Sequence, residues 1–165
     1  MSELIDSLTG LSTSLILRER VNWLLARRPS DQRPFGLLQL DVSDFAKVNQ
    51  AYGVSVGDSI LALAADRMLN CMRPSDMVGR LGNDDFQVVC SDGMNTVADL
   101  KASADRLVEA VNAEYDLAGL VIGIHFKAAA LFVQAPYPKP AQIYRRADEC
   151  LLTAKNETRV VIEQF

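Results

Sequence analysis

The sequence predicts an α+β fold in which helices pack on a mostly antiparallel sheet, and three observations support it. Helix-like and strand-like segments alternate along the chain, without internal repeats. The apolar runs 77–81 and 86–90 flank a Gly-Asn-Asp-Asp tetrapeptide, which is typical of a β-hairpin. With 165 residues, 49% of them apolar, the chain is long enough to bury a sizeable core. We therefore expect a single domain over residues 1–165.

Apolar periodicity and chain-breaking residues predict the elements in order. Leucine and valine recur at helical spacing over 14–27, and two prolines then place residues 28–34 in a loop. The apolar run 35–42 predicts a buried strand that contains Asp41 at its end. The remaining predictions are helices over 44–52, 57–72, 94–113 and 140–156, strand material over 117–133 and a closing strand over 160–163.

Charge and composition exclude several classes of function. Seventeen basic residues stand against 21 acidic ones, which gives a net charge of −4. This chain lacks the basic surface that a nucleic-acid polymer requires, although a local cationic pocket can still bind a single nucleotide. No signal peptide and no membrane-spanning apolar run is present, and three widely spaced cysteines in apolar surroundings indicate a reducing compartment. These features predict a cytoplasmic domain that makes no membrane contact.

Two acidic residues stand at the ends of predicted strands. Asp41 ends an apolar strand, and Asp84 lies in the turn of the predicted hairpin. If the two strands are neighbours in one sheet, both carboxylates project from the same edge. Such an oxygen-rich site suits Mg²⁺, which favours phosphate oxygens as further ligands. The alternative is that each aspartate only stabilises its own turn.

Four segments carry motifs that support a family assignment. They are Asp6-Ser-Leu-Thr-Gly-Leu, the stretch from Leu40-Asp41-Val42 through Val48-Asn49 to Gly57-Asp58, Arg80-Leu-Gly-Asn-Asp-Asp-Phe86, and the stretch from Arg146-Ala-Asp148 to Arg159. In this order and spacing they resemble the GGDEF domain family, the diguanylate cyclase module of bacterial cyclic di-GMP signalling. The resemblance implies a central, mostly antiparallel five-stranded sheet flanked by helices, the palm-like fold of nucleotidyl cyclases. It also implies that the chain is a fragment of a larger multidomain signalling protein.

The resemblance assigns a metal site and catalytic residues. In the family, two GTP molecules sit on two facing domains, and the 3′-hydroxyl of each attacks the α-phosphate of the other. By resemblance, Asp41 and Asp84 hold Mg²⁺, or Mn²⁺ in its place, together with the backbone carbonyl of Val42. Asp84 and Asp85 are the implied catalytic residues. The signature turn also includes Gly82, Asn83 and Phe86.

The two ends of the nucleotide have separate candidate residues. The resemblance implies that Asn49 and Asp58 read the guanine base, for which an amide and a carboxylate offer donors and acceptors. The implied phosphate-binding residues are Phe45, Lys155 and Arg159. Structural alternatives exist, because Ser55 and Asp58 also fit a helix capping box and basic residues near a helix C-terminus complement its dipole.

Arg73 and Asp76 match the R-x-x-D motif of the family's product-inhibition site, at the family's distance from Gly82. An arginine there can clamp a phosphate or base of cyclic di-GMP in bidentate fashion. The structural alternative is a helix stop followed by a turn, which the Arg-Pro-Ser-Asp sequence also favours.

The chain departs from the family pattern around the nucleotide. Asn83 replaces a glycine that lets the backbone approach the nucleotide and take a positive φ. Asp85 replaces a glutamate, Ser43 replaces a second acid, and Ala46 stands where a phosphate-binding lysine is expected, with Lys47 displaced by one position. The core pattern is kept, so we expect the fold to be better preserved than the catalysis.

Three functions follow from these observations. The favoured one is a regulatory domain that binds Mg²⁺ and GTP, and cyclic di-GMP as a second ligand, with weakened or lost catalysis. The alternatives are an active diguanylate cyclase that condenses two GTP, and a structural or dimerisation domain without ligands. A second copy of the chain or a neighbouring EAL phosphodiesterase domain is the expected protein partner.

Overall fold

The computed structural model describes residues 4–154 and the backbone of residues 161–164. Helices and strands alternate in this part of the chain, as predicted. Their bounds are β1 (Ser12–Thr13), α1 (Ser14–Leu25), β2 (Phe35–Val42), α2 (Phe45–Tyr52), α3 (Val54–Cys71), β3 (Met77–Arg80), β4 (Asp85–Cys90), α4 (Val97–Asn112), β5 (Tyr115–Leu117), β6 (Leu120–Ile122), β7 (Phe126–Val133), α5 (Pro140–Ala154) and β8 (Val161–Gln164). Within these residues, no helix combines the length and the apolar character that crossing a membrane requires.

The main sheet has the strand order β1-β3-β4-β2-β7-β8, and β5 and β6 form a separate hairpin. The three central pairings, β3 with β4, β4 with β2 and β2 with β7, are antiparallel. The outer strands β1 and β8 pair in parallel with β3 and β7. Because β1 has only two residues, five longer strands make up the sheet. This confirms the predicted α+β class and the mostly antiparallel five-stranded sheet.

Strand β2 is covered on both faces, which explains why its sequence is apolar throughout. Successive side chains of a strand point to opposite faces of the sheet. Leu38 and Leu40 pack in the core formed with α3 and α4, whereas Phe35 and Leu37 pack in the core formed with α1 and α5. All eight residues of β2 are buried. Asp41 therefore projects from the end of a rigid central strand.

Element boundaries differ from the prediction where glycine or a cap decides them. Helix α3 begins at Val54 rather than at residue 57, because Gly53 takes a φ of 90° and lets α3 start directly after α2. Helix α4 begins at Val97 rather than at residue 94, because Thr96 and Asp99 form a capping box. The last two residues of the helix predicted over 140–156 lie outside the described residues.

Candidate functional site

Three carboxylates meet at one end of the central strands. Strands β2 and β4 are neighbours, with Asp41 opposite Asp85, and the N–H of Val42 donates to the carbonyl of Asp84 at 3.2 Å. One carboxylate oxygen from each of Asp41, Asp84 and Asp85 lies within 4.8 Å of the other two. The predicted approach of Asp41 to Asp84 is therefore present, and Asp85 joins them in what we call the acidic cluster.

The chemistry of the acidic cluster suits a small divalent cation. Three anionic oxygens at this separation repel one another, and a cation among them relieves that repulsion. Asp41 is only 9% exposed, so water screens this repulsion poorly. An all-oxygen donor set with room for further ligands is the coordination that Mg²⁺ prefers. The side chains present therefore fit the metal that the motifs imply.

A cavity of about 320 Å³ opens beside the acidic cluster, and we call it the central cavity. Its lining is mixed, since Phe45 and Leu61 are buried and apolar, whereas Asn49 and Asp58 are polar and partly exposed. The lining consists of Phe45, Ala46, Asn49, Asp58, Leu61, Arg80, Asn83 and Asp84. Asp84 belongs to both the cavity lining and the acidic cluster, so a ligand in the cavity would adjoin a metal held by the cluster.

The candidate base-reading residues share the central cavity because α2 and α3 follow one another without a loop. Gly53 ends α2 and is also the N-cap of α3. Asn49 comes from the last turn of α2, and its side-chain oxygen is buried without a hydrogen-bond donor among the described residues. Asp58 comes from α3. The capping-box alternative for Ser55 and Asp58 is wrong, because α3 already begins at Val54 and its N-cap makes no side-chain hydrogen bond.

The signature turn over residues 82–85 closes the hairpin between β3 and β4 without left-handed backbone. The N–H of Leu81 donates to the carbonyl of Asp85 at 2.8 Å. Neither Gly82 nor Asn83 is among the described residues with positive φ, so position 83 does not use the backbone freedom that a glycine would offer. Asn83 lines the central cavity and also a second cavity of about 330 Å³ beside Asp6. The difference from a glycine at this position is therefore the added carboxamide, since any residue can adopt this backbone conformation.

The lysine that the resemblance implies for phosphate binding does not line the central cavity among the described residues, although Arg80 does. Ala46 lines the cavity at that position, and Lys47 does not occur among its described lining residues. The Lys47 ammonium instead lies 3.0 Å from the Asp44 carboxylate, with its side chain 75% exposed. Phe45 begins α2 and is buried. The other two predicted phosphate-binding residues, Lys155 and Arg159, lie outside the described residues.

Arg73 and Asp76 build a tight turn after α3. The N–H of Arg73 donates to the Asp76 carboxylate at 3.0 Å, and the N–H of Asp76 donates back to the Arg73 carbonyl at 2.9 Å. The Arg73 guanidinium donates to the carbonyl of Asp92 at 2.6 Å. Burial raises the pKa of the Asp76 carboxyl. The helix stop and turn of the structural alternative are thus present, and Arg73 is an exposed residue.

Comparison with known proteins places this site in a family. A family model described as "Diguanylate cyclase, GGDEF domain" matches residues 3–160. The chain belongs to the GGDEF domain family. The solved GGDEF domain of TpbB (YfiN) from Pseudomonas aeruginosa superimposes with a TM-score of 0.86 at 26% identity, over 97% of this chain and 93% of that one.

Curated relatives of this GGDEF domain are longer proteins. Diguanylate cyclase DgcS of Shewanella oneidensis is 29% identical over 161 residues, which cover 96% of this chain and 52% of DgcS. The bifunctional diguanylate cyclase/cyclic di-GMP phosphodiesterase MucR of Pseudomonas aeruginosa is 29% identical over 158 residues, which cover 93% of this chain and 22% of MucR. The chain thus spans about half of one relative and less than a quarter of the other.

Two residues that the sequence analysis did not assign hold the signature turn of this GGDEF domain. The Arg80 guanidinium donates to the Asp6 carboxylate at 3.1 Å and to the carbonyl of Asn83 at 2.6 Å. Asp6 also accepts from the N–H and the hydroxyl of Thr9. Burial alone would raise the pKa of Asp6, but the hydrogen bonds from Thr9 and Arg80 outweigh it and lower that pKa. Both residues stand in recognised motifs, yet no local pattern shows that residues 74 positions apart are partners.

Replacing Asp6 with alanine should destabilise the fold, because it removes the partner of a mostly buried arginine and the acceptor of two hydrogen bonds from Thr9. The side chain of Arg80 is only 14% exposed. We expect a loss of about 1–3 kcal/mol in the free energy of unfolding at pH 7. Folding lowers the pKa of Asp6, so its contribution is present above the ordinary value of 3.8 and is lost as the pH falls through the folded value.

Urea unfolding at pH 7 and at about pH 2 measures this difference between wild type and Asp6→Ala. The two proteins should differ at pH 7 and converge in acid. Asp31→Ala is the matched control, because Asp31 is exposed on a short turn and should leave stability nearly unchanged. An equal loss in Asp31→Ala and Asp6→Ala would contradict the assignment of Asp6.

Proposed function

We propose that this GGDEF domain binds Mg²⁺ and GTP and acts as a regulatory nucleotide-binding domain whose cyclase activity is strongly weakened. The observation that carries the proposal is the continuity between the acidic cluster and the central cavity through Asp84. A guanine nucleotide needs a metal site for its phosphates next to a polar site for its base. The acidic residue Asp84 and the polar residues Asn49 and Asp58 line one cavity of about 320 Å³ in this chain, which supports the proposal.

The proposal gives each side chain a role at one end of the nucleotide. Asp41 and Asp84 would hold the metal together with the carbonyl of Val42. When bound, Mg²⁺ or Mn²⁺ neutralises charge on the phosphates. At the other end, the Asp58 carboxylate accepts hydrogen bonds from the N1–H and the amino group of guanine, and Asn49 supplies a further polar contact.

Three departures at the site support weakened catalysis. Asp85 is shorter than glutamate by one methylene, which withdraws its carboxylate by more than ~1 Å. A displacement on this scale can cost about a hundredfold in rate. Ala46 offers no cation for the charge that develops on the phosphates. The side chain of Asn83 occupies space at the cavity wall that a glycine would leave open.

An active diguanylate cyclase is the second candidate function, and one observation favours it. The Asp85 carboxylate still lies within 4.8 Å of the other two acids despite its shorter side chain. Condensation of two GTP also requires a second domain that faces this one, so that each 3′-hydroxyl reaches the other α-phosphate.

An assay for product separates the candidates. Concentrated protein is incubated with Mg²⁺ and GTP, cyclic di-GMP is measured, and the binding of both nucleotides is followed by calorimetry. We expect GTP binding with little product. Efficient product formation would establish the active cyclase instead, and no heat with either nucleotide would leave a structural domain.

The partner that such a domain would regulate is proposed from a relative. MucR is described as a bifunctional protein that is both a diguanylate cyclase and a cyclic di-GMP phosphodiesterase. We propose that a neighbouring EAL phosphodiesterase domain, or a second copy of this chain, responds to the nucleotide bound here.

Replacing Arg73 with alanine should abolish cyclic di-GMP binding. GTP affinity should stay within about twofold of wild type, which is well under the tenfold change that 1.4 kcal/mol of binding free energy represents. The proposed product site consists of Arg73 and Asp76, neither of which lines the central cavity among its described residues. Among the described residues, the Arg73 guanidinium donates to one backbone carbonyl, that of Asp92, which a ligand phosphate can replace.

Calorimetry with each nucleotide tests the product site. Arg145→Ala is the control, since Arg145 is an exposed arginine on α5 that pairs only with Glu149 among the described residues. Undiminished affinity of Arg73→Ala for cyclic di-GMP would contradict the assignment. Loss of both nucleotides would show that Arg73 supports the fold and not the product site alone.

A further inference from the structure

Gly57 of α3 lies against the side chain of Asn49. It is buried in the first half of the helix, and its φ is not positive, so its backbone conformation does not require glycine. A Cβ at this position would overlap Oδ1 of Asn49 and would lie 3.0 Å from the ring of Phe45. The absence of a side chain at position 57 therefore makes the hollow that the Asn49 carboxamide occupies.

The hollow decides which end of the Asn49 carboxamide is available to a ligand. Oδ1 is buried against Gly57 and accepts no hydrogen bond from the described residues. A carboxamide has an acceptor end and a donor end. Because the oxygen lies against α3, the NH₂ group is the end that remains for the central cavity.

We propose that Gly57 is a specificity-determining positioning residue, which orients Asn49 so that its NH₂ group donates to an acceptor on a purine base. The inference rests on the proposed function. Asp58 follows Gly57 directly on α3 and lines the central cavity together with Asn49. One turn of α3 therefore sets the positions of both the hollow for Asn49 and the Asp58 carboxylate. A donor from Asn49 next to an acceptor from Asp58 complements guanine, whose N1–H and amino group face the carboxylate. Adenine has an unprotonated N1 and does not match this pair.

The first test compares nucleotide affinities of wild type and Gly57→Ala by calorimetry with Mg²⁺. We expect GTP affinity to fall about tenfold or more and the preference for GTP over ATP to shrink, since a displaced Asn49 loses a hydrogen bond to the base. In the Asn49→Ala background, Gly57→Ala should have no further effect on GTP affinity, because the group it displaces is gone. Equal losses in the two backgrounds would overturn the proposal.

A second test measures the contact between Gly57 and Asn49 through the melting temperature, without a ligand. In the wild-type background, the added methyl group should raise the melting temperature less than in the Asn49→Ala background, because Asn49 must first leave its hollow. In the Asn49→Ala background the same substitution should raise the melting temperature by about 2–4 °C, because alanine is favoured over glycine inside a helix. A change of the same sign and size in both backgrounds would show that Gly57 does not position Asn49.

The outcomes separate this inference from the proposed function. Wild-type protein that binds no GTP refutes the proposed function, and the melting temperatures then still decide whether Gly57 positions Asn49. Wild-type protein that binds GTP, together with a Gly57→Ala variant of unchanged affinity and selectivity, refutes only the role of Gly57.

Discussion

Replacing Asp84 with alanine should strongly weaken Mg²⁺-dependent GTP binding. Asp84 is the residue shared by the acidic cluster and the central cavity, so its loss removes a metal ligand and part of the cavity wall together. Without the metal, the phosphates of GTP would face the remaining carboxylates of Asp41 and Asp85, and like charges at short range repel strongly. We expect GTP affinity to fall by about a hundredfold or more, which corresponds to a loss of about 3 kcal/mol of binding free energy when a metal-coordinating carboxylate is removed.

Calorimetry at a fixed Mg²⁺ concentration measures the effect of Asp84→Ala. The matched control is Asp66→Ala, because Asp66 is exposed on α3 and lies outside the cavity lining and the acidic cluster. The control should bind GTP as wild type does and should melt at a similar temperature. Unchanged GTP affinity in Asp84→Ala would show that the acidic cluster does not hold the metal.

Restoring the family's signature should raise the rate of cyclic di-GMP formation by about a hundredfold, the factor associated with a displacement of about 1 Å. The double variant Asn83→Gly/Asp85→Glu removes a side chain from the cavity wall and extends the carboxylate opposite Asp41 by one methylene. The signature turn has no positive φ at residues 82 and 83, so glycine at 83 changes the space at the cavity and not the path of the backbone.

The two single variants show which change matters. Asp85→Glu should account for most of the gain in rate, because it moves the carboxylate proposed to be catalytic, whereas Asn83→Gly should act mainly on GTP affinity. Initial rates of product formation, at protein concentrations high enough for two domains to meet, supply the comparison. A double variant as slow as wild type would show that the missing cation at Ala46, and not the signature, limits catalysis.

The parts of the fold that local pattern determines were predictable from the sequence. The apolar run of β2 and the polar turn between β3 and β4 indicate two strands with acidic ends, and their pairing brings Asp41 and Asp84 together. The third acid is named only by resemblance and is placed in the turn, whereas the observed register puts Asp85 in β4 opposite Asp41. A sheet register is strongly specified when both faces are buried, as they are for β2.

Contacts between distant residues were not predictable in this way. The ion pair of Asp6 with Arg80 joins two motifs that are 74 residues apart, and neither motif carries a local signal for its partner. The hollow at Gly57 depends on how α2 packs on α3, which Gly53 determines through its φ of 90°. The structure also narrows the reason for a glycine at position 83, since a glycine in a motif can be required for space alone and not for its backbone freedom.

The most direct measurement of the central claim is a calorimetric titration of wild-type protein with GTP, carried out with Mg²⁺, with a chelator in place of Mg²⁺, and with ATP and Mg²⁺. We expect saturable binding of GTP that requires Mg²⁺, because Asp41 and Asp84 present only negative charge to the phosphates. We expect much weaker binding of ATP, because the proposed base-reading residues Asn49 and Asp58 complement guanine. Absence of heat with GTP and Mg²⁺, or equal binding of GTP and ATP, would contradict the proposed function.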